Sequence, residues 1–269
     1  MLRFSWSARS HVGLVRPDNE DSGFAGPYLL LVADGVGGAA AGEVASASTA
    51  YVAASLAMAD PDRDPLELLG EAVTRAHDLL RAGIRDDPDR DGMATTLTAI
   101  AGHDDRFGLV HIGDSRGYLL RDGELTRLTA DHTLVQQLVD DGQITTEEAR
   151  RHPYRSMVLR SLDGAHEPAP DLVRLDLREG DRLLLCSDGL SDLVGQDQIA
   201  RLLATADLDA ALGALVEDAL RAGGRDNVTC VGADVVDAPR LRPDGALVGA
   251  VSRLENQVDP AAVRLPSPA

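Results

Sequence analysis

Apolar and polar positions alternate from the first residues. Phe4, Trp6 and Ala8 are separated by polar side chains, a period of two that predicts a half-buried strand. A polar turn, Arg16-Pro17-Asp18-Asn19-Glu20-Asp21, follows, and then an unbroken apolar run over 28–33 predicts a buried strand entering a Gly/Ala-rich turn. The period then lengthens. Val44, Tyr51 and Met58 fall on one stripe, and Leu66, Leu69, Val73, Ala76 and Leu80 recur at spacings of three and four, so two amphipathic helices are expected.

Short strand patterns return over 94–128, with Asp122-Gly123 placed as a tight hairpin turn. Residues 131–155 read as helix, and Thr145 and Glu148 are spaced as a capping box. Strands are expected over 171–177, 182–187 and 227–236, and a helix after Asp207 carries Leu208, Leu212, Leu215 and Ala219 on one face. Strands and helices come in blocks, which predicts an α+β fold of sheet layers covered by helices, not a doubly wound parallel sheet. From Ala238 onward, five prolines and few aromatics predict a partly disordered tail over 238–269, in which 246–258 is compatible with a short docking helix. No internal repeat is present.

Composition narrows the partners. The 269 residues are 44% hydrophobic, enough for one large domain, but only 3% aromatic, so the core must be built from Leu, Val, Ile and Ala. All 26 basic residues are Arg, and the formal charge of -18 argues against nucleic acid and anionic membrane surfaces as partners. It is compatible with divalent cations where carboxylates cluster. Cys186 and Cys230 lie inside apolar runs and read as buried thiols of a reducing compartment. No signal-peptide core or 18-residue apolar span is seen, so a cytoplasmic protein is expected.

Candidate chemistry begins with two apolar runs that end alike, in Asp34-Gly35 and Asp188-Gly189, and a third acidic step, Gly224-Arg225-Asp226-Asn227. Three carboxylates projecting from strand tips can converge on one cation. Asp-Gly is also the commonest turn dipeptide, and it recurs at Asp91, Asp122, Asp141, Asp163 and Asp244, so spacing alone leaves both readings open. Asp87-Pro88-Asp89-Arg90-Asp91-Gly92 fits the opening of a calcium-binding loop, yet position 12 is Thr98, and a solvated acidic loop is the better reading. Gly113-Asp114-Ser115-Arg116-Gly117 fits a nucleophile elbow, with His132, His152 or His166 as candidate base, but a strand and hairpin follow where a helix is needed. An aspartyl-phosphate motif is missing, because Val32 and Ser187 stand before the candidate aspartates.

Taken in order, Arg16-Pro17-Asp18-Asn19-Glu20-Asp21, Val32-Ala33-Asp34-Gly35-Val36-Gly37-Gly38, Gly92-Met93-Ala94-Thr95-Thr96-Leu97, Gly113-Asp114-Ser115-Arg116, Ser187-Asp188-Gly189-Leu190 and Asp226-Asn227 form one pattern. It resembles the metal-dependent serine/threonine protein phosphatases of type 2C in their compact bacterial form. The resemblance implies a catalytic domain over 1–237, built as a four-layer sandwich of two antiparallel sheets flanked by helix pairs, with a metal cluster at one edge. It further implies that Asp34 bridges two Mn2+ or Mg2+ ions, that the Gly35 carbonyl completes one sphere, and that Asp188 and Asp226 hold the second ion. Glu20 and Asp21 would act through bound water or as supports, and a third, weaker ion would lie near Asp114, sharing Asp188 and drawing on Ser156.

The chemistry suits these residue types. Hard cations prefer oxygen ligands, and two of them acidify the water between them and clamp the attacking and leaving oxygens of an in-line displacement. Arg16 matches phosphate oxygens in a bidentate way, the alternative being an ion pair with its acidic neighbours. Eukaryotic relatives often carry a histidine directly after the Asp-Gly turn as acid for the leaving group, whereas here Val36 stands there. The segment 131–159 resembles the mobile flap of bacterial members; His132 and His152 within it are given surface or structural roles. Hydrolysis of phosphoserine and phosphothreonine on proteins, opposing a cognate Ser/Thr kinase and carried out by a monomer, is the expectation. The competing readings are a metal-free serine esterase using Ser115 and a non-catalytic relative that binds phosphoproteins.

Overall fold

The computed structural model describes residues 1–36, 41–239 and 244–259. In chain order they form β1 (Leu2–His11), β2 (Asp21–Ala25), β3 (Leu29–Val36), α1 (Gly42–Ala59), α2 (Pro65–Asp86), β4 (Ala94–Thr95), β5 (Leu97–His103) and β6 (Arg106–Ile112). Then come β7 (Arg116–Arg121), β8 (Glu124–Arg127), α3 (Leu134–Asp140), α4 (Thr146–Arg151), β9 (Asp171–Leu175) and β10 (Arg182–Cys186). The last elements are α5 (Asp188–Ser191), α6 (Gln196–Leu203), α7 (Leu208–Arg221), β11 (Val228–Asp237) and β12 (Ala246–Gly249).

The strands make two antiparallel sheets. One runs β1-β11-β10-β7-β8 and the other β12-β2-β3-β5-β6-β9, with β4 continuing alongside β3. Along β3, Leu30 and Val32 point between the sheets while Leu29 and Leu31 point to the helix layer. Both faces of the strand are buried, which is why its sequence is an unbroken apolar run. Leu183, Leu185, Val231 and Val235 meet Leu30 and Val32 from the opposing sheet. On the outside, α1 and α2 cover one sheet, and α6 and α7 cover Leu184, Cys186 and Tyr118 of the other. The expected four-layer α+β sandwich is therefore the observed one.

Local signals behave as their chemistry dictates. Asp122 and Gly123 have φ of 53° and 84°, so both central residues of the β7–β8 hairpin are left-handed, as a tight two-residue turn demands. Thr145 and Glu148 make the expected reciprocal capping box. Asp64 accepts from the amides of Leu66 and Glu67 at the start of α2, and Pro65 takes the first helical position, where no amide is needed.

Three expectations need correction. The helix with a single stripe at Val44, Tyr51 and Met58 is buried nearly all round, and Tyr51 and Met58 are only partly covered. The reason lies at the other end of the chain. Residues 246–249 do not start a helix or a loose tail but add β12 to the edge of β2, pairing Ala246 with Ala25. Ala250 and Val251 then enter the core against α1, and the amide of Val258 bonds Ser48 Oγ at 2.9 Å. A boundary at 237 thus does not separate the sandwich from residues 246–258, which are part of its packing. Residues 240–243 and 260–269 of the expected tail, and Gly37 and Gly38 of the glycine-rich turn, lie outside the described residues. Third, the helical stretch expected over 131–155 is two short helices, α3 and α4, closed at the base by a bridge between Thr133 and Val158.

Cys186 and Cys230 face each other across β10 and β11 as free, fully buried thiols. Burial pushes Cys186 up to about 12 and Cys230 well above its usual range, so both behave as small hydrophobes. Among the described residues, no helix is long and apolar enough to cross a membrane.

Candidate metal centre

Antiparallel pairing brings the first two carboxylates together. Asp21 opens β2 directly opposite Asp34 near the end of β3, so their side chains leave the same face of the sheet. Asp188 begins the short α5 immediately after β10, and Asp226 precedes β11, the neighbour of β10. Asp114 sits between β6 and β7. The strand tips therefore meet at one edge of the sandwich, from both sheets.

Electrostatics shows how close they are. Burial, and then the charges of Asp21, Asp188, Asp114 and Asp226, hold Asp34 well above the usual carboxylate range. Asp188 is raised by burial and by Asp114, Asp192, Asp226 and Asp21. Burial, reinforced by Asp131 and Asp192, brings Asp114 up to about 7. Asp21 is brought up to about 6, chiefly by burial, although Ser187 Oγ donates to its Oδ2 at 2.7 Å. Its other oxygen, Oδ1, is buried with no partner. A carboxylate cluster with an unpartnered buried oxygen is what a divalent cation relieves. Among the described residues no three His, Cys, Asp or Glu side chains form a closed ligand cage. A hard cation such as Mg2+ does not need one, since it takes one or two carboxylates and fills its octahedron with other oxygens and water. The residues present fit such ions.

Backbone approach explains both glycines. A Cβ on Gly35 would lie 2.5 Å from Gly42 and 2.8 Å from the Glu20 carbonyl, and one on Gly189 would overlap the Asn227 carbonyl. Neither glycine has a positive φ. They are glycines so that neighbouring strand ends can close on the carboxylates, not because a turn needs them.

A family profile described as Protein phosphatase 2C matches residues 8–220. The serine/threonine protein phosphatase PstP of Mycobacterium tuberculosis is 51% identical over 257 residues, covering 96% of this chain and 50% of PstP. The chain belongs to the protein phosphatase 2C family. It spans half the length of that curated relative. Protein phosphatase PhpP of Streptococcus pneumoniae is 36% identical over 233 residues, covering 83% of this chain and 94% of PhpP. Among solved structures, that of M. tuberculosis PstP superposes with a TM-score of 0.84 at 51% identity, covering 87% of this chain and 100% of the other. The PstP catalytic domain in complex with two manganese ions gives 0.81 at 52%, covering 88% and 100%.

For a type 2C phosphatase chain, the placement of the expected residues is informative. Arg16 Nη2 bonds Asp226 Oδ2 at 2.8 Å, with both side chains partly exposed, so the candidate phosphate clamp stands on a candidate ligand. Glu20 is raised chiefly by burial and then by Glu43, and its backbone carbonyl accepts from Gly35. Ser156 is exposed on the 131–159 segment and lines a cavity of about 460 Å³ together with Asp114 and Asp188. Val36 pairs with Ala94 at the end of β3. The Asp87–Gly92 loop is an exposed turn whose Thr98 lies inside β5, so it gathers no ligand set. Ser115 is fully buried and bonds Thr96 Oγ1 at 2.8 Å, which removes it as an esterase nucleophile. His132 is buried, not a surface residue: Gly113 donates to its Nδ1 at 3.2 Å.

Three functional side chains carry no role that the sequence alone reveals. Asn227 Oδ1 accepts from the Glu20 amide at 2.7 Å, and its Nδ2 donates to the carbonyls of Val12 and Asp18 at 2.9 and 3.0 Å. One amide thereby ties the loop bearing Arg16 and Glu20 to the step bearing Asp226. Thr96 Oγ1 accepts from the Asp34 amide, and Thr95 Oγ1 donates to the Asp34 carbonyl, each at 2.9 Å. The adjacent threonines hold the Asp34 backbone from both sides. Their signal is their place in the ordered motifs, but long-range hydrogen bonds leave no local periodicity.

Proposed function

We propose that this protein hydrolyses phosphoserine and phosphothreonine on proteins with the help of two Mn2+ or Mg2+ ions and without a phosphoenzyme intermediate. The reading rests above all on carboxylates from separate strand ends of both sheets repelling one another around the unpartnered Asp21 oxygen. Asp34 and the Gly35 carbonyl would hold one ion, and Asp188 with Asp226 the other. When bound, such a pair supplies Lewis acidity and a nucleophilic water at neutral pH.

The chain's own residues do the positioning. Arg16, at the rim, offers a planar fork to two phosphate oxygens and orients the phosphoryl group for in-line attack. Asp226 holds that guanidinium in place until substrate arrives. Asp21 fixes Ser187, whose hydroxyl also accepts from the Thr229 amide at 3.0 Å, and so sets the start of α5 where Asp188 stands. Asn227 keeps Arg16 and Glu20 at a set distance from the strand tips. Val36 offers no proton to the leaving alkoxide, which leaves that task to solvent.

A third, weaker ion at Asp114 and Asp188 is supported by their shared cavity wall with Ser156. The proposed setting is cytoplasmic and monomeric, with substrates supplied by a cognate Ser/Thr kinase. Turnover of a phosphothreonine peptide should vanish in EDTA and return with Mn2+. Full activity in chelator would overturn the proposal, and metal titration by calorimetry with no heat of binding would favour a non-catalytic phosphoprotein binder.

A further inference from the structure

The cavity of about 460 Å³ beside Asp114 and Asp188 extends under the 131–159 segment, and its charged lining is not all acidic. Arg116 and Arg127 come from β7 and β8, and Arg150 and Arg155 from the segment above. Arg116 forks onto Asp131, Nε to both oxygens at 3.1 and 3.2 Å and Nη2 to Oδ2 at 2.7 Å. Arg127 also bonds Asp131. Two guanidiniums thus share one carboxylate, and a positive charge is left over.

The surplus is structural. Arg127 Nε is buried with no partner, and burial followed by the Arg116 charge lowers its guanidinium below the ordinary range. The repulsion between the two guanidiniums is relieved by an anion in the cavity. Arg150 reaches Glu147 only at 3.9 Å and is largely exposed. Among the described residues Arg155 has no ion pair; its charge acts on Asp192. On the same wall stand Asp114 and Asp188, the carboxylates that cations at the centre would neutralise. Once they are neutralised, the cavity of this strongly acidic protein is left with a concentration of guanidiniums.

We infer that this cavity is an anion subsite that takes a second phosphate on the same substrate segment, so that the enzyme prefers multiply phosphorylated stretches. The inference rests on the phosphatase reading and adds a substrate class to it. Guanidinium forks match phosphate oxygens in a bidentate way, and the cavity opens beside the strand tips, so a phosphate a few residues from the reacting one can enter while Arg16 holds the first.

The test uses peptides with one phosphothreonine and, two to six residues away, a non-hydrolysable phosphonate, a glutamate or an alanine. With Mn2+ present, kcat/KM for the phosphonate peptide at the best spacing should exceed that for the alanine peptide about tenfold, from one charge-assisted contact. The glutamate peptide should fall between them; equality with the phosphonate would reassign the subsite to acidic side chains in general and overturn the phosphate preference. Arg150→Ala, at an exposed position that leaves the fold intact, and Arg127→Gln should each move the ratio toward one, and added salt should do the same. A ratio of one at every spacing in the unaltered protein overturns the inference while the turnover itself upholds the phosphatase reading. Arginine-dependent binding of the labelled phosphonate peptide by fluorescence anisotropy, with no turnover of any peptide, would do the reverse.

Discussion

Asp122-Gly123 and Asp188-Gly189 are the same dipeptide in two different physical situations. At the hairpin, Gly123 has a φ of 84° and open space where a Cβ would stand. At the sandwich edge, Gly189 has an ordinary φ and no room at all, because the Asn227 carbonyl fills the Cβ position. The hairpin glycine serves the conformation of its own turn, and the edge glycine serves the approach of another strand end. Asp91-Gly92 and Asp141-Gly142 side with the hairpin, each glycine having a positive φ and open space where a Cβ would stand, whereas Gly164 is left-handed and also pressed against the Arg81 amide. Asp34-Gly35 sides with Gly189. The crowded glycines fall in two kinds: Gly245 of Asp244-Gly245 meets the Phe24 ring and the Ala25 carbonyl beside β12, whereas Gly35 and Gly189 meet the backbone of Glu20 and Asn227, next to the other acidic steps.

The largest effect should come from the carboxylates of the crowded pairs. Asp34→Asn or Asp188→Asn should lower kcat/KM on a phosphothreonine peptide by three decades or more, the loss of about 4 kcal/mol of transition-state stabilisation. In EDTA the same variants should melt no lower than the parent, because each removes a charge that its neighbours repel. Stabilisation by Mn2+ should be lost. Asp122→Asn should change neither property. A variant of Asp34 that melts far lower in chelator would mean that the cluster is held together by contacts of its own and not by cations.

Crowding at the backbone is the next test. Gly189→Ala should cost about 2 kcal/mol in urea unfolding, an overpacking penalty against a carbonyl that β11 holds in place. Asn227→Ala should cost about as much, since the Glu20 amide and the carbonyls of Val12 and Asp18 lose their partner together. Both should also reduce turnover, because Arg16, Glu20 and Asp226 are positioned through the same knot. Retained activity in a destabilised Asn227→Ala protein would separate folding from positioning and refute that link.

These residues also mark what the sequence could reveal. Strand tips ending in acidic residues are local facts, visible as an apolar run followed by Asp-Gly, and their order along the chain carries the family resemblance. The ties of Asn227 and of Thr95 and Thr96 are made across the fold and carry no periodicity. The pairing of 246–249 with β2 is hidden for a related reason: a four-residue strand among prolines has too little pattern to stand out, and only an open sheet edge makes it a strand. For α1, Ala and Ser positions buried on every side blur the polar-to-apolar contrast on which a stripe depends.

His111 offers a smaller contrast, between a buried ionisable group that the protein satisfies and the Asp21 oxygen that it does not. Its Nε2 donates to the Ala130 carbonyl and its Nδ1 faces the Thr98 hydroxyl, both at 2.9 Å. Burial, and then the His132 charge, lower it to about 4 from an ordinary 6.5. The folded chain therefore binds fewer protons than the unfolded chain between those values. Stability from this group is complete above pH 6.5 and is lost as pH falls toward 4, by up to about 3 kcal/mol. His111→Gln should flatten that part of the stability profile in chemical denaturation, and an unchanged profile would show that His111 takes up its proton over the same pH range in the folded and unfolded chains.

Gly123→Ala places a side chain at a left-handed φ with nothing to strike, so the cost is the conformational preference alone, about 1 kcal/mol. Turnover and affinity for Mn2+ should stay as they were, because the β7–β8 hairpin lies far along the strands from the edge where the carboxylates meet. Gly189→Ala differs in the opposite sense, with an acceptable φ and no space. If the two substitutions cost the same and both spare activity, crowding is not what singles out the edge glycines. If Gly123→Ala alone spares it, the room for a Cβ separates the hairpin glycine from the glycine at the ligand-bearing strand end.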